Sequence, residues 1–240
     1  FKTGGERITH LEGQYLTDIW TDLAVDFIKE NRKDPFFLYL PWSIPHAPLQ
    51  DPASDPSTAF DAGPKSNTPE GREAFVKMVE YLDSRIGKIF KTLRNEERLD
   101  NTLIIFTSDN GGTHGDNLPL RGVKGMFTEG GIRVPLIAYW PGIIPANTVS
   151  DRMVHGIDFY PTLLEVAGNT WLPSGKKHPL DGESFADILF NPKLKNRRSP
   201  IFYLFPGYMD IRAQPCVVII DEIENKRYKL LYYYEADAWK

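Results

Sequence analysis

Residues 103–112 read Leu-Ile-Ile-Phe-Thr-Ser-Asp-Asn-Gly-Gly, an apolar run that turns abruptly into polar, glycine-rich chain. A short continuous apolar run of this kind is expected of a strand covered on both faces in a mainly parallel sheet. Ligands of open α/β sheets bind outside the carboxyl ends of the strands, so Asp109 and Asn110 stand where such a fold places its chemistry. The run at 36–40, Phe-Phe-Leu-Tyr-Leu between prolines, repeats the pattern and sends His46 beyond its C-terminal end. A third candidate strand covers 134–140 and stops at Pro141-Gly142.

Helices fill the intervals. Thr17 is expected to cap a helix whose apolar face is Trp20, Leu23, Ala24, Phe27 and Ile28. Thr68 caps a second, with Pro69 at its first position and one stripe through Phe75, Val79, Leu82, Ile86, Ile89 and Leu93. Between them, 47–67 is rich in Pro, Asp, Ser and Ala without periodicity, a length at which loops serve as lids or recognition elements. Helix signals return at 160–167 and 184–190, and after Ser199 the runs 201–205, 217–220 and 228–234 are β-rich without helices between them. The pattern predicts a partial α/β domain over 1–195, mainly parallel sheet flanked by helices, and a small antiparallel β subdomain over 196–240.

Composition narrows the function classes. With 240 residues, 41% hydrophobic and 25% charged, the chain is long enough to bury a sizeable core. A formal charge of -4 gives no basic footprint for nucleic acid, and no apolar run approaches the length of a membrane span. The single cysteine, Cys216, excludes an internal disulfide and reads as a buried strand thiol.

The residues with chemical reach are Asp109, Asn110, His46 and Lys124. A carboxylate beside a carboxamide offers hard oxygen ligands, suited to Ca²⁺ or Mg²⁺ rather than zinc. Lys124, among glycines that permit close backbone approach, suits an anionic group, and His46 can donate a hydrogen bond or a proton. Together they describe a site for a tetrahedral oxyanion. The competing reading of Asp-Asn-Gly-Gly is a plain turn. Asp116 and Asn117 can also ligate metal but are read as loop, Glu129 and Arg133 as a structural pair, and His155 as structural beside a helix start.

Five stretches, in order, carry a resemblance: PFFLYLPWSIPHAPL at 35–49, LIIFTSDNGG at 103–112, LRGVKGMFTEGGIRVPLIAYWPG at 120–142, HGIDFYPTLL from His155 and LDGESF from Leu180. They resemble the sulfatase family over roughly 15–203. The resemblance implies an alkaline-phosphatase-like α/β fold with a small C-terminal antiparallel sheet and helix. It also implies a bound Ca²⁺ and hydrolysis of sulfate esters through a formylglycine hydrate. Asp109 and Asn110 then resemble metal ligands. Lys124 resembles the lysine that holds the sulfate and assists the leaving oxygen, and His46 the histidine at the sulfate or bridging oxygen. His114 resembles a residue near the same pocket, with an ordinary loop histidine as its alternative.

Family members carry, upstream of these motifs, a Cys-x-Pro-x-Arg signature whose cysteine becomes formylglycine, and an Asp-Asp pair completing the metal site; neither is in these 240 residues. Cys216 is followed by Val-Val-Ile and cannot be that nucleophile. The chain therefore reads as a C-terminal fragment, inactive alone, whose partner is the missing N-terminal portion of the same enzyme. The expected substrate is a sulfate ester, on a sulfated carbohydrate if Trp42, Trp171 and Tyr208 stack on sugar rings. The resemblance implies a periplasmic, secreted or lysosomal setting. Two alternatives stay open: a phosphodiesterase or phosphonate monoester hydrolase of the same superfamily, and a non-catalytic module that binds sulfated glycan.

Overall fold

Three sheets, all antiparallel, make up the sheet structure of this computed structural model, which describes residues 2–3, 6–7, 13–52, 67–113, 117–168, 180–194, 197–210, 212–224 and 226–235. The chain divides into two units: residues 1–102 with 112–116, and residues 103–111 with 117–240. The small C-terminal sheet thus shares a unit with the 103–111 strand, and neither unit ends at residue 195.

Beside a short ladder of β1 (Lys2–Thr3) and β2 (Glu6–Arg7), the first unit is built on two helices. α1 spans Leu16–Glu30 and α2 spans Pro69–Asn95. α2 starts where the sequence puts it, since the Thr68 hydroxyl accepts the Gly71 N–H at 3.1 Å. α1 starts two residues before the expected cap: Tyr15 holds the N-cap position and Thr17 lies inside the helix, 1% exposed. Its buried face is likewise rotated, to Thr17, Ile19, Thr21, Ala24, Val25 and Ile28, while Leu23 is half exposed. Thr21 can sit in that face because its Oγ1 donates back to the Thr17 carbonyl at 2.7 Å. Across the helices, the Tyr81 hydroxyl donates to Asp18 at 2.7 Å and Arg85 pairs with the same carboxylate at 2.8 Å. The Arg85 guanidinium also stands 4.2 Å from the Tyr81 ring centroid.

The expected strand at 36–40 is not formed. The segment runs without strand pairing, and Phe37 and Tyr39 are 70% and 74% exposed. Phe36, Leu38 and Leu40 are half-buried, and Phe36 meets Phe27 edge-to-face at 5.7 Å. An apolar run needs a neighbouring strand to become one, and the described residues supply none here.

In the second unit, β3 (Ile104–Thr107) pairs antiparallel with β4 (Leu136–Tyr139). One face of this pair, with Leu103, Ile105 and Ala138, covers a core of Phe185, Ile188 and Leu189. That core comes from α5 (Ala186–Phe190), with Phe159 and Val166 of α4 (Phe159–Val166) against it. The other face leaves Phe106, Ile137 and Tyr139 exposed, so the sheet is covered on one side and not, as expected, on both. The C-terminal sheet matches its sequence pattern closely: β5 (Ile201–Phe205), β6 (Cys216–Ile223) and β7 (Lys226–Tyr233) form a meander. Its buried row is Ile201, Cys216, Val218 and Ile220, against Phe127, Ile132 and Met153.

A buried polar knot ties the 152–198 region together. Asp158 is wholly buried and accepts the N–H groups of His155 at 2.7 Å and Glu183 at 2.9 Å. Both guanidinium nitrogens of Arg197 bond to the same carboxylate. Arg152, 8% exposed, is held by Asp187 at 2.7 Å and Glu183 at 3.0 Å. Each charge is paired, as burial demands.

Candidate functional site

The carboxyl end of β3 delivers Ser108, Asp109 and Asn110 into a turn. Asp109 is exposed and Asn110 half-buried; the Asn110 amide donates to the Gly111 carbonyl at 3.1 Å, and the Ser108 hydroxyl to the Asn110 carbonyl at 3.2 Å. Thr107 Oγ1 donates to the Pro135 carbonyl at 2.9 Å, fastening the strand end to the approach of β4. Glu129, by contrast with its expected partner Arg133 at 4.0 Å, is drawn to Lys229 of β7, which also donates to the Phe127 carbonyl at 3.1 Å.

The next three backbone segments meet at glycines. The Gly111 N–H donates to the Gly131 carbonyl at 2.9 Å, and the Gly130 N–H to the Arg121 carbonyl at 2.7 Å. A Cβ on Gly111 would lie 1.9 Å from the Gly130 oxygen, one on Gly130 2.1 Å from the Gly122 oxygen, and one on Gly131 2.1 Å from the Met126 oxygen. No side chain fits any of these contacts. Glu129–Ile132, a single helical turn (α3), is thereby held directly against both the Asp-Asn turn and the 121–126 segment.

Lys124 rides on that 121–126 segment. It is half-buried, follows Gly122 at a φ of +90°, and precedes Gly125 at +91°. From the C-terminal side, the Arg212 guanidinium donates to the Lys124 carbonyl at 3.3 Å, itself steadied by Asp210 at 2.5 Å. Sequence reasoning missed Arg212, since the contact spans a separation of 88 residues and has no motif.

Asp109, Asn110 and Lys124 thus belong to one unit and to adjoining backbone segments. His46 belongs to the first unit, exposed on a loop with Nδ1 2.7 Å from the Ala47 carbonyl. That loop is anchored by Ile44 and Leu49, which pack with Ala74, Met78 and Phe75 of α2. His114 and Trp171, with most of the 47–67 loop, lie outside the described residues. His155 has the structural place expected of it: its ring accepts the Ile157 N–H at 3.4 Å and stacks edge-to-face on Tyr203 at 5.1 Å. Cys216 is fully buried in β6, and burial pushes its thiol pKa up.

For a metal ion, Asp109 and Asn110 offer two adjacent oxygen donors of the hard-cation type. Among the described residues no cluster of three or more His, Cys, Asp or Glu groups forms, so these donors fit one part of such a shell and do not complete it. Among the described residues, no helix is long and apolar enough to cross a membrane.

The sulfatase family model matches residues 3–169, and a second model, N-sulphoglucosamine sulphohydrolase, C-terminal, matches 123–240. The chain belongs to the sulfatase family. A sulfatase of Formosa agariphila is 40% identical over 96% of the chain and 44% of its own length. The human N-acetylgalactosamine-6-sulfatase is 36% identical over 78% of the chain and 34% of its own length. The crystal structure of Ps i-CgsB, in complex with k-i-k-neocarrahexaose, superposes with a TM-score of 0.74 at 31% identity, covering 94% of this chain and 48% of that one. The alkaline-phosphatase-like fold expected from the sequence is therefore the fold of this sulfatase, although its described strands pair only antiparallel. The chain spans less than half the length of the relatives just named.

Proposed function

We propose that this sulfatase chain supplies the anion-holding half of a sulfuric ester hydrolase acting on sulfated carbohydrate. The observation that carries the reading is the glycine junction, in which the Gly130-Gly131 turn is hydrogen-bonded through its backbone to Gly111 after the Asp109-Asn110 turn on one side and to Arg121 of the Lys124 segment on the other. A surface turn and a solvated lysine need no such junction; a site that fixes a cation-binding turn and an ammonium against one small anion does.

In this reading Lys124 holds the sulfuryl oxygens and stabilises the charge that develops on the leaving oxygen. His46 bonds the bridging oxygen or delivers its proton. Asp109 and Asn110 contribute to the shell of a hard divalent cation, Ca²⁺ by the resemblance, and that cation when bound neutralises charge on the sulfuryl oxygens. The nucleophile, a formylglycine hydrate, and the remaining ligands belong to the rest of the protein, for which the exposed apolar face of β3–β4 offers a surface. A sulfated carbohydrate as substrate is supported by the relatives, among them a protein solved with a neocarrahexaose.

The test is to produce the protein at the length of its relatives, strip divalent ions with chelator, restore Ca²⁺, and follow 4-nitrophenyl sulfate and 4-nitrophenyl phosphate in parallel. Sulfate ester cleavage that disappears with chelator and returns with Ca²⁺ is the expected result. Cleavage of the phosphate ester alone would favour the phosphodiesterase reading, and cleavage of neither, with retained binding of a sulfated oligosaccharide, the non-catalytic one.

A further inference from the structure

Asn117 is not used in the reading above, and by residue type it suits a metal. Its surroundings give its amide nitrogen a different task. Asn117 Nδ2 donates to the Gly122 carbonyl at 2.9 Å and reaches the Gly130 carbonyl at 3.4 Å. These are the two oxygens around which the glycine junction closes: the Gly122 oxygen faces Gly130, and the Gly130 oxygen faces Gly111. Two carbonyl oxygens brought toward one point repel, and a half-buried junction has little water to offset that. One carboxamide with two N–H groups can serve both, whereas a carboxylate or a hydroxyl cannot. The Asn117 backbone is fixed in turn, its carbonyl accepting the Leu120 N–H at 2.7 Å.

Counting along the chain, Gly111 directly follows Asn110, and Gly122 lies two residues before Lys124. We propose that Asn117 is a positioning residue: its amide clasps the Gly122 and Gly130 carbonyls and so sets the Lys124 segment against the Asp109-Asn110 turn. Asn117 touches neither substrate nor metal; it acts through the residues it aligns. The inference rests on the reading of Asp109, Asn110 and Lys124 as one site.

The isosteric variant Asn117→Asp replaces the donor with an acceptor in the same space, and Asn117→Ser keeps a single donor on a shorter arm. Two readouts, both on the protein at the length of its relatives, judge the proposal. The first is backbone amide exchange. In Asn117→Asp, the amides of Gly111, bonded to Gly131, and of Gly130, bonded to Arg121, should exchange about tenfold faster than in the parent, with Val218 in β6 unchanged. The second is steady-state cleavage of 4-nitrophenyl sulfate. Displacing Lys124 by a fraction of an ångström should lower kcat by about 10–100-fold, with Asn117→Ser between parent and Asn117→Asp. Unchanged exchange at Gly111 and Gly130 would overturn the proposal, as would faster exchange with undiminished kcat. A parent that cleaves no sulfate ester would instead sink the sulfatase reading, and the exchange measurement would still decide whether Asn117 holds the junction.

Discussion

Replacing Asp158 by Asn is the sharpest probe of what holds the second unit together. The substitution keeps the volume, so it opens no cavity, and it changes only the charge and one acceptor. The native carboxylate serves four donors: the His155 and Glu183 N–H groups and two nitrogens of Arg197. Both side chains of the ion pair are almost fully enclosed, at 1% exposure for Asp158 and 3% for Arg197. Removing one member of a buried pair leaves the other charged and unpaired, which costs about 3–5 kcal/mol. With a urea dependence of about 2 kcal/mol per M, the unfolding midpoint should fall by roughly 1.5–2.5 M. The assay is urea unfolding followed by tryptophan fluorescence. The surface pair Lys88–Asp22 serves as the control, since Asp22→Asn there should barely move the midpoint. A shift in Asp158→Asn no larger than that control would refute the claim that the buried pair is essential to this region.

Three further outcomes are expected. His155 has its pKa lowered, chiefly by burial and also by Arg197, against the opposing pull of Asp158. A folded pKa below the unfolded value of about 6.5 means that protons favour the unfolded chain, so the contribution is complete above that pH and is lost as pH falls toward the folded value. His155→Asn, which can still accept the Ile157 N–H, should flatten the fall in stability as pH drops below about 6.5, measured by urea titrations at several pH values. Gly111→Ala places a methyl 1.9 Å from the Gly130 oxygen and should cost about 1–3 kcal/mol in thermal unfolding while accelerating exchange of the Gly130 amide. Cys216, fully buried with a raised pKa, should react with a disulfide reagent at pH 8 only after denaturant is added; rapid labelling of the folded chain would contradict its placement in β6.

Much of this structure can be read from local chemistry. The Thr68-Pro69 start of α2, the three C-terminal strands and the polar break after Thr107 follow from capping, alternation and turn residues acting over a few positions. In α1 the reading failed over a local bond: the Thr21 hydroxyl returns to the Thr17 carbonyl, which makes Thr21 acceptable inside the rotated face. Elsewhere a distant partner decided the outcome. The run at 36–40 has the composition of a strand but no described strand to pair with. Arg197 and Asp158 lie 39 residues apart, and Arg212 and Lys124 lie 88 apart, separations at which no sequence pattern links a charge to its acceptor. For the candidate site, the residue types at Asp109, Asn110, His46 and Lys124 were legible. The glycine junction that joins three of them was visible only as glycines, because backbone contact leaves no side-chain signature.

The central claim is that Lys124 and Asp109 serve one sulfate-ester site, and release of inorganic sulfate from a sulfated oligosaccharide tests it most directly. With the protein at the length of its relatives and Ca²⁺ present, Lys124→Ala and Asp109→Ala should each lower the rate by about 10²–10³-fold while leaving the unfolding midpoint in place. Sulfate release that continues at the parent rate in either variant would contradict the account.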